Sequence, residues 1–233
     1  MKFSTQLIEI IPRTEDVSSF RFNKPPNLTY LPGQYLLVFL KSNGKEIMHP
    51  FSFSSNPTED KFIEFTKKFS NSEYSSTLKS LKNGDTVNID ASYGDFVFTG
   101  QFQKICLLAG GIGITPFWSI CNYCSEKKLT TDIILLYSNR NESDIAFYEE
   151  LKQLQTKNPN LKVLFVLTQA NSTWSGLTGR LNSDLIKNQV PDYKERIFFA
   201  CGPPIMVDAM KNAIAELNLP KTQLKLESLI GHT

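Results

Sequence analysis

The hydrophobic rhythm of the chain changes near its middle. Up to about residue 100, apolar positions come in short runs broken at close intervals by turn residues. Residues 34–40 and 46–54 are rich in strand-favouring side chains and flank Ser42-Asn43-Gly44-Lys45. Asn-Gly between two such runs predicts a tight hairpin, because both residues accept positive φ. Residues 62–67 and 86–91 give further short strands, and residues 74–81, stopped at Asn83-Gly84, give a short helix. Short antiparallel strands with turns this close predict a small closed barrel. From Lys104 the runs become wholly apolar: residues 105–109, 133–137, 163–167 and 197–201. Such runs mark strands buried on both faces. Helical patterns over 117–127, 144–155, 181–187 and 205–217 separate them, and 223–227 closes the series. Alternating strands and helices predict a parallel sheet with right-handed crossovers. The expected fold is therefore two-domain: an antiparallel β-barrel in residues 1–100, then an α/β parallel-sheet domain in residues 101–233, with the boundary near Gly100.

Size and composition agree. A chain of 233 residues accommodates two domains, and 41% hydrophobic with 21% charged residues is ordinary globular usage. A net charge of +2 argues against a nucleic-acid or membrane-surface partner. The N-terminus meets Glu9 and Arg13 before any apolar core long enough for a signal peptide, and no apolar run reaches the roughly 20 residues a bilayer crossing needs. The four cysteines, Cys106, Cys121, Cys124 and Cys201, are too few for a disulfide scaffold, so a cytoplasmic location is expected. Cys121 and Cys124 form a C-x-x-C, but the only histidines are His49 and His232, and four clustered thiols are absent. Helix packing is the better reading of this pair, and no metal is expected.

In an open parallel sheet, ligands sit beyond the carboxyl ends of the strands. The first such loop reads Ala109-Gly110-Gly111-Ile112-Gly113-Ile114-Thr115-Pro116. Its glycines allow a tight turn and bring backbone N–H groups near a phosphate. Thr115 suits a helix N-cap and Pro116 the first helical position, which would aim a helix N-terminus at the site. A plain structural turn would read the same way, and the third glycine of the usual dinucleotide fingerprint is replaced by Thr-Pro. The fourth loop, Cys201-Gly202-Pro203-Pro204-Ile205-Met206, puts a thiol at a strand end before a rigid turn. A buried cysteine beside a proline-rich turn is the alternative there.

Taken together, the two loops resemble the ferredoxin–NADP reductase superfamily, in which G-G-x-G-x-T-P and C-G-P-x-x-M occur in this order. The resemblance implies that Gly110, Gly111, Gly113, Thr115 and Pro116 form the NAD(P) phosphate loop. It also implies that Cys201, with Gly202, Pro203 and Met206, lies beside the nicotinamide. In the first half, His49-Pro50-Phe51-Ser52 is similar to the family's R-x-Y-S flavin motif. Phe51 then stands where a tyrosine packs on the flavin, and Ser52 where a hydroxyl approaches the hydride-accepting nitrogen. Barrel-core packing is the alternative for Phe51 and Phe53, which share a face by period two. His49 replaces the arginine, losing a bidentate cation for the pyrophosphate; H-P-F-S is similar to the ferric reductase and NADPH oxidase branch. Leu31-Pro32-Gly33-Gln34-Tyr35, Ser75-Ser76-Thr77-Leu78 before Lys82-Asn83-Gly84-Asp85, and Ala91-Ser92-Tyr93-Gly94-Asp95-Phe96, with Ala-Ser in place of the family's Gly-Pro, resemble further family segments. Phe69, Ser75, Ser76 and Thr77 are thereby placed in the FAD-binding set.

These correspondences imply an FAD-dependent NAD(P)H oxidoreductase that moves hydride onto bound FAD and then electrons to a separate acceptor: a ferredoxin, a flavodoxin, an oxygenase, ferric iron or free flavin. Ser52, Cys201 and Glu227 are the candidate catalytic residues, and Glu227 also reads as a solvated strand-end charge. Ser138, Arg140 and Thr168 are expected at the nucleotide. NADPH-specific relatives carry Ser-Arg after the third strand of the sheet; here the pair is Thr168-Gln169, which leans toward NADH. A free flavin or ferric reductase, and an electron-transfer subunit of a larger complex, are the competing readings.

Overall fold

The computed structural model describes residues 1–229. Its N-terminal half is a six-stranded antiparallel sheet built from β1 (Lys2–Thr14), β2 (Val17–Asn23), β3 (Tyr35–Ser42), β4 (Lys45–Ser52), β5 (Phe62–Lys68) and β6 (Thr86–Tyr93), in the order β4-β3-β6-β1-β2-β5. A bridge between Phe53 and Phe65 joins the two ends, so the sheet closes into the expected barrel. The hairpin turn lies at Asn43 and Gly44, with φ of 50° and 76°. Pro50 sits in β4 opposite Leu37, at the end of the hydrogen-bonded order where a missing N–H is tolerated. Alternate side chains of these strands, among them Leu7, Phe20, Phe22, Leu36, Val38, Phe51, Phe65 and Ile89, fill the interior.

The sequence pattern had not marked β1 and β2. Their apolar residues alternate imperfectly, because β1 is bulged twice, between Leu7 and Glu9 and between Pro12 and Thr14. Each bulge shifts the period by one and hides the strand from a strict alternation count.

The C-terminal half is a parallel sheet in the order β10-β9-β8-β7-β11-β12. Its strands are β7 (Lys104–Gly110), β8 (Asp132–Asn139), β9 (Leu161–Leu167), β10 (Leu177–Thr178), β11 (Ile197–Gly202) and β12 (Leu224–Ser228). Two apolar layers cover it, one beneath α2 (Ile114–Glu126) and α3 (Tyr148–Lys157), the other beneath α4 (Ser183–Gln189) and α5 (Pro204–Glu216). The third helix begins later than the pattern predicts. Asp144 instead closes an isolated turn with Asn141, and Phe147 adopts left-handed φ of 60° before α3 starts. Cys121 and Cys124 are fully buried in the layer beneath α2, and burial pushes both thiols up.

The two halves do not have separate cores. Val17, Phe96 and Phe98 pack into the nucleotide-side layer, where Phe96 meets Phe199 at 5.4 Å and Phe117 at 5.8 Å between ring centres. This seam fixes which strand ends of the two halves face each other.

Candidate active site

The chain returns to the far side of β7 to make β11, so the strand order reverses between these two neighbours. That reversal opens a crevice at their carboxyl ends. After Gly110 the backbone makes a single 3-10 turn, Gly111–Gly113, and α2 starts at Ile114. Gly111 has φ of 51°, and a side chain there would project into open space. At Gly113 a side chain would overlap the carbonyl of Cys201, so this glycine lets the loop after β7 lie directly on the end of β11. Helix α2 begins earlier than the sequence suggests. Its N-cap is Gly113 rather than Thr115, whose buried hydroxyl donates to the Ile112 carbonyl at 3.1 Å. Pro116 falls within the first turn, where its missing N–H costs nothing. Pro203 and Met206 complete this wall.

The opposing wall comes from the barrel. Lys68, Phe69 and Ser70 at the end of β5 face Gly110, Gly111, Ser138, Arg140, Asp144 and Thr168 across a cleft of about 500 Å³. The helix expected at 74–81 is α1, Glu73–Lys79, and its N-cap is Ser72. Ser75 is therefore inside the first turn and wholly buried. Its hydroxyl lies 3.1 Å from that of Ser72 and 3.3 Å from that of Ser70, and accepts from the Ser70 N–H at 3.2 Å. Ser76 and Thr77 donate back to the carbonyls of Ser72 and Glu73 at 3.2 and 2.9 Å. Thr77 lines a different depression, beside Phe39 and Ser80, and so stands apart from the cleft. All three hydroxyls are thus engaged by hydrogen bonds within or beside the first turn of the helix.

A second, more apolar groove of about 320 Å³ runs between β4 and β12, lined by Tyr35, Met48, Pro50, Phe51, Ser52, Glu227 and Leu229. Leu229 also lines the cleft, so this one side chain borders both spaces. Phe51 is nearly all buried, stacked on Phe65 at 4.4 Å and on His49 at 4.7 Å, and only part of it reaches the groove. The Nδ1 of His49 donates to the Pro50 carbonyl at 2.8 Å.

Glu227 pairs in register with Cys201 on the neighbouring strand. Burial pushes its carboxyl up to about 7, and its Oε2 has no hydrogen-bond partner. Cys201 is fully buried; burial first, then the charge of Glu227, raise its thiol well above the usual range. It is a neutral thiol behind the groove rather than a nucleophile in it.

Several lining residues had no signal in the sequence. Lys68, Ser70, Asp144 and Leu229 belong to no motif, and only their nearness to strand ends marks them. Lys67 is buried at the end of β5, and burial lowers its ammonium to about 8.

A site for two cofactors needs phosphate-facing backbone on one side and a slot for flat rings between the domains. Gly111, open toward the cleft, and Glu227, with an unmatched oxygen in an apolar groove, fit that requirement. A family model for the oxidoreductase FAD-binding domain matches residues 4–98, and one for the oxidoreductase NAD-binding domain matches residues 107–212. NADH-cytochrome b5 reductase 1 of Mortierella alpina is 30% identical over 223 residues, covering 93% of this chain and 75% of that protein. The chain belongs to the ferredoxin–NADP reductase superfamily. It is an FAD-dependent NAD(P)H oxidoreductase by both of its domains. The glycine betaine monooxygenase reductase subunit of Chromohalobacter salexigens, another superfamily relative, is 27% identical over 221 residues; the match spans 91% of this chain but 60% of that protein. A ferredoxin NADP+ reductase from Neisseria gonorrhoeae, solved with bound FAD and NADP, shares the fold, with a TM-score of 0.85 at 19% identity over 97% of this chain and 98% of that one. Among the described residues, no helix of this superfamily member is long and apolar enough to cross a membrane.

Proposed function

We propose that this chain accepts hydride from a nicotinamide nucleotide onto FAD seated against the barrel, then releases electrons to a separate acceptor. One observation carries the reading: the cleft after β7 and β11 and the groove beside Pro50–Ser52 are each lined by both domains and share Leu229 as a wall. FAD supplies the hydride-accepting ring, and this chain's residues orient it and exclude water. His49, Pro50, Phe51 and Ser52 bound the flavin side, with Phe69 and Ser75 toward its phosphates. Gly110, Gly111 and Thr115 form the loop under the nucleotide phosphates, held down by Gly113 on the end of β11. Ser138, Arg140, Thr168, Gly202, Pro203 and Met206 flank the nucleotide. Ser52 offers a hydroxyl at the reacting rings, Glu227 offers a carboxyl near neutrality for a carboxamide, and Cys201 backs the ring from within the sheet.

The domains divide near Gly100, between β6 and β7. The preferred nucleotide is NADH, since Thr168-Gln169 gives no cation and Asp144 lies in the same cleft as Arg140. The His49-Pro50-Phe51-Ser52 motif, similar to that of the ferric reductase and NADPH oxidase branch, supports a place in that branch. Four free, buried cysteines accord with a reducing, cytoplasmic compartment. The relatives are named as reductases of cytochrome b5 and of an oxygenase, so an electron-accepting protein is the favoured partner. Purification tests the retention of flavin: a protein that stays yellow through gel filtration and reduces an artificial dye with NADH supports the reading. Loss of colour with turnover restored by added free flavin would establish the flavin-reductase alternative instead.

A further inference from the structure

At a part of the domain seam that shares no lining residue with the cleft or the groove, Arg13 crosses between the halves. It sits at the second bulge of β1, between Pro12 and Thr14, and a bulge re-aims a side chain. In the barrel its Nε donates to Ser19 Oγ at 2.8 Å, and its Nη2 donates to Glu64 Oε2 at 3.4 Å. From there the same guanidinium reaches Glu150 in the first turn of α3 through Nη1, and lies 4.4 Å over the ring of Phe147. Phe147 is itself buried, stacked on Trp118 of α2 at 5.1 Å, and held in the left-handed region. Arg13 is a single side chain whose planar fork engages both domains at once.

Three segments that meet at Arg13 also build the cleft. Strand β5 carries Glu64 at the clamp and Lys68 at the cleft. Helix α2 carries Trp118 at the clamp, and the loop before it carries Gly111 at the cleft. The segment after β8 carries Arg140 and Asp144 at the cleft and Phe147 at the clamp. Three short connections therefore link the hold of Arg13 on the seam to the cleft. We infer that Arg13 is a positioning residue that sets the spacing between the flavin wall and the nucleotide wall. The inference rests on the proposed site, but Arg13 touches none of it.

The test compares Arg13→Gln with Arg21→Gln in the FAD-loaded protein. Arg21 donates to the same Glu64 carboxylate, at 2.8 Å, and stays within the barrel. The expected result for Arg13→Gln is unchanged FAD content, a tenfold or greater fall in the rate of flavin reduction at saturating NADH, and faster amide exchange at residues 144–152. Arg21→Gln keeps its reduction rate within twofold of the parent. Glu150→Gln, altered at the exposed end of the tie, repeats the Arg13→Gln pattern more weakly and guards against a folding failure. Equal losses in Arg13→Gln and Arg21→Gln would assign the effect to the charge of Glu64 and overturn the inference. So would normal reduction in Arg13→Gln despite faster exchange. Failure of the parent protein to be reduced at all would instead strike the proposed function, and the exchange data would then be read alone.

Discussion

The two sides of the domain seam are built on opposite principles. At the back, buried polar groups satisfy one another: Glu64 accepts from Ser54 and Arg21 as well as Arg13, Ser19 bonds Thr66, and Ser119 donates to the Ser55 carbonyl at 2.7 Å. At the front, Gly111 faces empty space and a carboxylate oxygen of Glu227 ends in an apolar groove without a partner. Buried polar groups are costly unless matched, so an unmatched one beside a groove is where a ligand gains most by completing it. Both faces carry a cavity, but at the back the Glu64 carboxylate is matched within the protein, whereas at the front an oxygen of Glu227 is not.

Substitutions at the two faces should therefore fail differently. The largest loss is expected from Glu64→Gln, which leaves Arg13 and Arg21 facing a neutral group. Removing one partner of a buried ion pair costs on the order of 3 kcal/mol, an upper figure here because Arg13 keeps Glu150 and Arg21 keeps Glu9; it is read as a lower midpoint in urea unfolding of the protein. A change below about 0.5 kcal/mol would show that the back seam is not a stabilising network.

At the front the sign reverses. Glu227 is held near 7 by burial, above its ordinary 4.5, so the native state favours the protonated form. That stability is complete below the unfolded value and is lost as pH rises through about 7. FAD-free Glu227→Gln should thus be more stable than the parent at pH 8, by roughly 1 to 3 kcal/mol, and equal to it near pH 4. Thermal unfolding at both pH values checks this, and a gap independent of pH would contradict it. The same substitution should slow flavin reduction.

Gly111→Ala is the next smaller effect. It forces a side chain into left-handed backbone in open space, for about 1 kcal/mol, while weakening nucleotide affinity more than FAD affinity. Equal weakening of both would remove the loop from the nucleotide wall. The smallest change concerns selectivity: Arg140→Ser should reduce kcat/KM with NADPH a few-fold and leave NADH nearly unchanged, measured as the ratio of the two.

Much of the fold could be read from the chain alone. Wholly apolar strands, an Asn-Gly turn and two glycine-bearing loops have local causes, and local causes leave local patterns. The two loops at the carboxyl ends of β7 and β11 were legible for the same reason, since they follow directly from the apolar strands. The flavin wall was less so. Ser75, Ser76 and Thr77 look alike in sequence, yet hydrogen bonds with neighbours one turn away decide where each hydroxyl goes. The start of α2 was misplaced because Thr115 and Pro116 suit either the cap or the first turn. Arg13 was invisible as anything but a charge, because its partners come from residues up to 137 positions away.

Anaerobic mixing of the FAD-loaded protein with NADH tests the central claim most directly. The account predicts that the visible flavin band bleaches within the mixing experiment, and more slowly in Glu227→Gln. A bound flavin that neither NADH nor NADPH can bleach would contradict it.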